Sequence, residues 1–344
     1  MNILPEIKKI KELNLPFVAF RKPNEKQLTL IRQNTSDLFV FDDFSAKGYV
    51  FAPFDSSKEA YILQADAVYS EHIDFGDFDD NNLEVVSNKD DERLHVKKVT
   101  KAIATIQQTE MSKIVISRKE KVESSKLDVF LVFKKLLNKY SNAYTYMWFH
   151  PKVGMWIGAT PETLLNVKGA NFTTMSLAGT QYFKGNLNPC WGTKEIQEQQ
   201  MVSDYIREFL QNNVSKLMFS DVETVKAGNL LHLKTTITGV LKSTNDMQRL
   251  VEYLHPTPAV CGLPKEKAKN YILKNEGYDR SFYTGYLGTL NLFDTTDLYV
   301  NIRCFSITNK EVYLYVGGGI TEFSSPDKEW LETVVKSETI KSVF

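Results

Sequence analysis

Apolar residues in the first part of the chain come in short runs rich in Val, Phe and Tyr: PFVAFRK, QLTLIRQ, DLFVFDD and GYVFAPF. Polar or turn-forming residues bound each run, which predicts a small antiparallel set of strands. An acidic stretch around residues 74–92 carries turn formers and reads as a surface loop. The period then changes. Val99, Ala102, Ile103 and Ile106 recur at helical spacing and predict a helix from about Asp91 to Glu110.

The strand KIVIS follows, then a helix over Val129–Tyr140, a hairpin pair AYTYMWFH and GMWIGA, and strands at Glu162–Val167 and Phe172–Leu177. Thr193 is a plausible cap for a helix that buries Val202, Tyr205, Ile206 and Phe209. The strand LLHLKTTITGVL leads to helices near Asp246–Leu254 and Pro264–Leu273. Three strands come next, SFYTGYLGTLNLF, DLYVNIRCFSIT and EVYLYVG, the last two joined by a turn at Asn309–Lys310. Ser324, Ser325 and Pro326 open a closing helix, with proline at its first position. Blocks of strands separated by a few helices indicate an α+β protein with antiparallel sheets, and patterning leaves open whether there are one or two.

Charge changes the picture by exclusion. Lys+Arg and Asp+Glu each number 42 and cancel, which argues against a nucleic-acid-coating protein. With 12% aromatic residues and 42% hydrophobic residues, disorder is excluded as well. Cys190, Cys261 and Cys304 are far apart and lie in no CxxC pair, so neither a disulfide framework nor a zinc site is expected. The opening MNILPEIKKIKELNLPF has no apolar signal-peptide core, and no window approaches a membrane span. A soluble cytoplasmic protein with no nucleic-acid or membrane partner is expected, a monomer by default.

Several residues carry candidate chemistry, each beside a plainer alternative. Glu329, Glu332 and Lys336 share one helix face, which could be an ordinary solvated face. Just before it, Gly317, Gly318 and Gly319 leave a strand where a ligand could approach bare amides. Glu195 and Glu198 share another helix face, or form a first-turn acid pair favoured by the helix dipole. Two glutamate-bearing helices facing one cavity would suit Mg²⁺. Lys113 opens an apolar strand, where desolvation could make it a base; the alternative is a strand-edge lysine in water. Glu162 is either a capping-type acid or a carboxyl held protonated to donate. Arg303 reads as mid-strand in apolar surroundings, a costly position for an unpartnered guanidinium. The five histidines show no metal spacing, and among them His255, in the Pro-rich loop HPTPAVCG, looks specialised.

In order along the chain, KIVISR (113–118), GATPETLL (158–165), LAGTQ (177–181), KEIQEQQMVSDYI (194–206), LHPTPAVCGLP (254–264), DRSFYTGYLG (279–288), LYVNIRC (298–304), YVGGGIT (315–321) and EWLETVVKSE (329–338) resemble the chorismate-utilising enzymes, isochorismate synthases above all. The resemblance implies two stacked, mostly antiparallel sheets flanked by helices, forming one catalytic domain over residues 1–344. Residues 1–90 match less clearly and would complete the sheets, and 91–344 carry the motifs.

It also implies Mg²⁺-dependent conversion of chorismate to isochorismate, the product feeding menaquinone, a siderophore or a salicylate-derived compound. By this carry-over Lys113 is the base activating water and Glu162 the acid at the departing 4-hydroxyl. Glu198 and Glu332 become metal ligands, with Glu195 and Glu329 behind them. Arg303, Lys336 and backbone near Gly179, Thr180 and Gly317 would anchor carboxylates, and Tyr283 would line the enolpyruvyl side. Ala259 stands where salicylate-forming relatives tend to carry threonine, which favours stopping at isochorismate over the alternative of releasing salicylate and pyruvate. Two departures from the family pattern are Gln199 in place of histidine and Gln181 in place of the common arginine.

Overall fold

The computed structural model describes residues 3–74, 89–122, 127–243, 246–308 and 311–344. Among these residues the strands form two antiparallel sheets. The first runs β15 (Gly262–Leu263), β7 (Lys113–Val122), β19 (Glu311–Ile320), β18 (Cys304–Thr308), β9 (Gly154–Thr160), β8 (Tyr144–His150), β1 (Phe17–Arg21), β2 (Gln27–Arg32) and β6 (Ala67–His72). The second runs β12 (Val214–Phe219), β14 (Leu230–Leu241), β11 (Asn171–Tyr182), β10 (Thr163–Lys168), β17 (Thr295–Val300), β16 (Tyr286–Leu292), β4 (Gly48–Ala52), β5 (Tyr61–Leu63) and β3 (Phe39–Val40), with β13 (Glu223–Ala227) also on β14. The helices are α1 (Ile3–Glu12), α2 (Lys89–Gln108), α3 (Val129–Lys139), α4 (Thr193–Asn213), α5 (Asp246–Leu254), α6 (Lys265–Asn275) and α7 (Pro326–Lys341).

Alternation along each strand decides what lies between the sheets and what lies outside. In β1, Val18 and Phe20 enter the layer between the sheets, while Phe17 and Ala19 face the covering helices. That middle layer is aromatic. Phe51 of β4 stacks on Phe282 at 4.2 Å, and Tyr144 of β8 stacks on Tyr299 of β17 at 3.9 Å. Ile7 of α1, Leu136 of α3 and Ile340 of α7 cover the first sheet. Ile206 of α4 and Val251 of α5 cover the second. Helices α2 and α6 close the end of the first sheet around Ile114, Ile116 and Ile320.

Several expectations change. The N-terminal runs do not form one set, because β1 and β2 join the first sheet while β3 and β4 join the second. DLYVNIRCFSIT is not one strand: β17 stops at Val300, β18 starts at Cys304, and the chain crosses between sheets in the three residues between. Arg303 therefore sits in a crossover with φ 51°, in the left-handed region, rather than mid-strand. Thr193 is the first helical residue of α4, and Gly192 is its cap. Helix α1 and strands β5, β6, β12, β13 and β15 come in addition, and the end of the expected acidic loop belongs to α2, which starts at Lys89. Residues 75–88 of that loop and the Asn309–Lys310 turn lie outside the described residues. No helix among them is long and apolar enough to cross a membrane.

Candidate functional site

Lys113 begins β7, and β7 pairs along its length with β19, whose Gly317, Gly318 and Gly319 lie opposite Ser117, Ile116 and Val115. Helices α4 and α7 bring their glutamates onto this glycine stretch. A Cβ on Gly319 would overlap the Glu198 carboxylate and press on the Lys113 stem. One on Gly318 would lie 3.3 Å from Glu329 Oε2 and 3.6 Å from Glu332 Oε1. The glycines are therefore what allows carboxylates from two helices to reach one patch of backbone.

Each of these carboxylates meets a lysine. Lys113 is 1% exposed and its Nζ lies 2.9 Å from Glu198 Oε1. Lys194 makes a close ion pair with Glu329 Oε1. Lys336 reaches Glu332 Oε1 at 2.6 Å and donates to the Gly317 carbonyl at 3.0 Å. Burial, reinforced by neighbouring Glu332, pushes the Glu329 carboxyl up from its ordinary range. Burial acts on Glu332 in the same sense, but Lys336, with Lys194 and Arg303 behind it, overrides this and holds the group low.

Another wall carries a buried carboxyl. Glu162 is 3% exposed and stands just ahead of β10. Burial raises its carboxyl to about 7, against weaker opposing effects from the Thr257 hydroxyl and the Lys113 charge. Thr257 Oγ1 donates to Glu162 Oε1 at 3.3 Å.

A cavity joins these walls. Lys113, Glu162, Glu198 and Glu332 line it, as do Gly179, Thr180, Ala259, Tyr283, Arg303, Gly317 and Lys336. Glu329 lies behind the lining, buried, with Oε2 lacking a well-formed hydrogen bond. Glu195 packs its backbone against Gly179 and turns its carboxylate toward Gly192, away from the cavity. Among the described residues no three His, Cys, Asp or Glu side chains close into a metal cage, since each carboxylate is turned to its lysine. The donor set is nevertheless all oxygen, and the poorly bonded Glu329 oxygen faces bare glycine, a fit for a hard divalent cation.

Arg303 Nη1 donates to Thr339 Oγ1 at 2.9 Å and Nη2 to His232 Nε2 at 3.3 Å. Since arginine can only donate, His232 Nε2 is the acceptor and its Nδ1 carries the proton, donated to the Gly179 carbonyl at 2.9 Å. Burial, helped by Arg303 and Lys336, lowers the His232 pKa to about 3, consistent with a neutral ring. His232 thus links the crossover arginine to the bulge in β11 between Ala178 and Thr180. Sequence reasoning passed over it because its only mark is a polar residue inside the apolar run LLHLK.

His255, by contrast, lies away from the cavity lining, its Nε2 2.9 Å from the Pro53 carbonyl. Of the two departures, Gln199 is buried and donates to the hydroxyls of Ser176, Ser203 and Thr235, tying α4 to β11 and β14. Gln181 instead donates outward to the Cys190 carbonyl at 2.9 Å.

Known proteins resemble this chain in sequence and in fold. Residues 76–344 match the family described as chorismate binding enzyme. The isochorismate synthase EntC of Escherichia coli K12 is 29% identical over 257 residues, which cover 72% of this chain and 66% of that protein. The match thus spans just under two thirds of that relative's own length. A Bacillus anthracis structure described as a 2,3-dihydroxybenzoate-specific isochorismate synthase superposes with a TM-score of 0.81 at 24% identity, covering 99% of both chains. The menaquinone-specific isochorismate synthase MenF of Escherichia coli gives 0.78 at 19% identity, covering 95% of this chain and 88% of that one. At these identities the two structures speak to the fold.

Proposed function

The chain belongs to the chorismate-binding enzymes, and on that premise we propose that it converts chorismate to isochorismate. The observation that carries this reading is the pairing of a buried lysine with a proton-holding carboxyl on the walls of one cavity. Water adds at ring position 2 as Lys113 takes its proton, and the ring double bond shifts. The C4–O bond breaks, and Glu162 gives its proton to the departing hydroxyl, which leaves as water. A carboxyl that stays protonated to about 7 suits that donation. Lys113 is tied to Glu198 in this structure, and its role as base requires that pair to open.

Arg303 and Lys336 supply positive charge for the substrate carboxylates, with backbone amides near Gly179, Thr180 and Gly317 beside them. Tyr283, buried and stacked on Tyr315 at 5.4 Å, provides an apolar wall for the enolpyruvyl group. Glu198 and Glu332 would hold Mg²⁺, with Glu195 and Glu329 behind them. When bound, the ion supplies positive charge to the ring carboxylate as the double bond moves.

Ala259 brings no hydroxyl into the cavity, which favours release of isochorismate over further elimination. The test is incubation of the pure protein with chorismate and Mg²⁺, with and without chelator, followed by chromatography. Isochorismate as the main product is expected, abolished by chelation. Salicylate and pyruvate as main products would overturn the reading, and so would chorismate that is bound but left unchanged.

A further inference from the structure

Arg280 lies outside the cavity lining and is 2% exposed, yet all five of its N–H donors are used. Nε and Nη2 form a fork onto Glu276, at 2.6 Å to Oε2 and 2.7 Å to Oε1. Nη2 also donates to the Val115 carbonyl at 2.8 Å, while Nη1 reaches the Val260 carbonyl at 2.9 Å and Thr284 Oγ1 at 3.2 Å. Glu276 Oε1 in turn accepts from the Ser117 amide and the Ser117 hydroxyl, each at 2.7 Å.

These contacts fall where β7 runs out of strand partner. On that edge β15 pairs only with Lys113 and Ile114, and Val115 N–H still finds the Cys261 carbonyl at 2.8 Å. Beyond it, the Val115 carbonyl and the Ser117 amide face the same way and would go unpaired. The Arg280–Glu276 pair supplies a donor to one and an acceptor to the other, continuing the ladder with side chains. The same guanidinium holds Val260, three residues past Thr257, whose hydroxyl meets Glu162.

We propose that Arg280, braced by Glu276, is a positioning residue that sets the base strand and the Thr257 loop, which touches the acid, in one register across the cavity. The inference rests on the reading of Lys113 and Glu162 as base and acid. It differs from a purely stabilising role because one backbone segment it joins carries the proposed base and the other carries Thr257, the hydroxyl partner of the proposed acid.

Arg280→Lys keeps the charge but loses the fork. Its expected effect is a fall of about 100-fold in kcat, the scale of a small misplacement of reacting groups, with the KM for chorismate nearly unchanged. A second readout needs no substrate: infrared titration of the Glu162 carboxyl, isolated by subtracting the Glu162→Gln spectrum. The groups facing Glu162 are the Thr257 hydroxyl and, through its charge, Lys113. Loosening the loop admits water, so the titration midpoint should fall by about one unit in Arg280→Lys.

A folded Arg280→Lys with unchanged kcat and midpoint, differing only in melting temperature, overturns the proposal. Should that variant not fold, Glu276→Gln replaces it, with a fall of about tenfold in kcat and a midpoint shift in the same direction expected for weakened bracing. An unchanged Glu276→Gln overturns the proposal equally. If the wild-type protein leaves chorismate intact, the functional reading fails, while the titration still decides whether Arg280 governs the setting of Glu162.

Discussion

Glu162 and Glu332 are the same side chain on two walls of one cavity, and their surroundings drive them in opposite directions. Glu162 has a hydroxyl beside it and little countercharge, so burial keeps its proton on to about 7. Glu332 has the Lys336 ammonium at 2.6 Å and stays ionised. The difference supports the two roles proposed for them, which residue type alone does not separate: a proton donor where charge is unsupported, an anionic oxygen donor where lysines gather.

The strongest way to break this comparison is to remove the proton-transfer groups. Lys113→Ala and Glu162→Gln should each cut isochorismate formation by about 10³-fold or more in a product assay. Calorimetry should still detect chorismate binding to Lys113→Ala, and undiminished turnover would take that residue out of the chemistry.

Stability separates the walls next. The unfolded chain gives up the Glu162 proton near 4.5 and the folded chain only near 7, so the folded state weakens across that interval and by a constant amount above it. Glu162→Gln should therefore unfold about 3 kcal/mol harder than wild type at pH 8, by denaturant titration, with the gain vanishing toward pH 4. The same proton sets a kinetic limb: forward kcat should decline as pH rises through about 7.

At the other wall, Glu332→Gln should raise the Mg²⁺ concentration for half-maximal activity by about 10- to 100-fold, the scale seen when a group orienting or binding a metal is altered. It should leave the pH limb in place. The smallest effect expected is at Ala259→Thr, where pyruvate release should rise a few-fold (about 1 kcal/mol of barrier), measured by a coupled pyruvate assay.

Much of this was legible in local pattern. Asp246–Leu254 reads as a helix at its observed bounds because Met247, Leu250, Val251 and Leu254 repeat at helical spacing and are buried. Lys113 and the glycine triplet are weak signals by themselves, and they stand out only through the resemblance of KIVISR and YVGGGIT to the family's motifs. The partition of strands between sheets was not legible, since alternation marks the faces of a strand but not its neighbours. Arg303 looked mid-strand because the residues on both sides are apolar, and only the crossover explains why. Strand β12 follows α4 directly at Asn213–Val214, with no connecting segment between the two elements. His232 and Arg280 act through backbone carbonyls of distant segments, which leave no mark on spacing.

The pairing of β7 with β19 has a consequence for how the protein is made. Ile114 and Ile320 are partners across roughly 200 residues of intervening chain. During synthesis the strand that begins at Lys113 waits, without its inner neighbour, until the intervening chain has been made. The corner that holds the candidate site closes only after that pairing forms, and such long-range closure is slow. A chain stopped before β19 would carry every described strand of the second sheet but leave β7 without this partner.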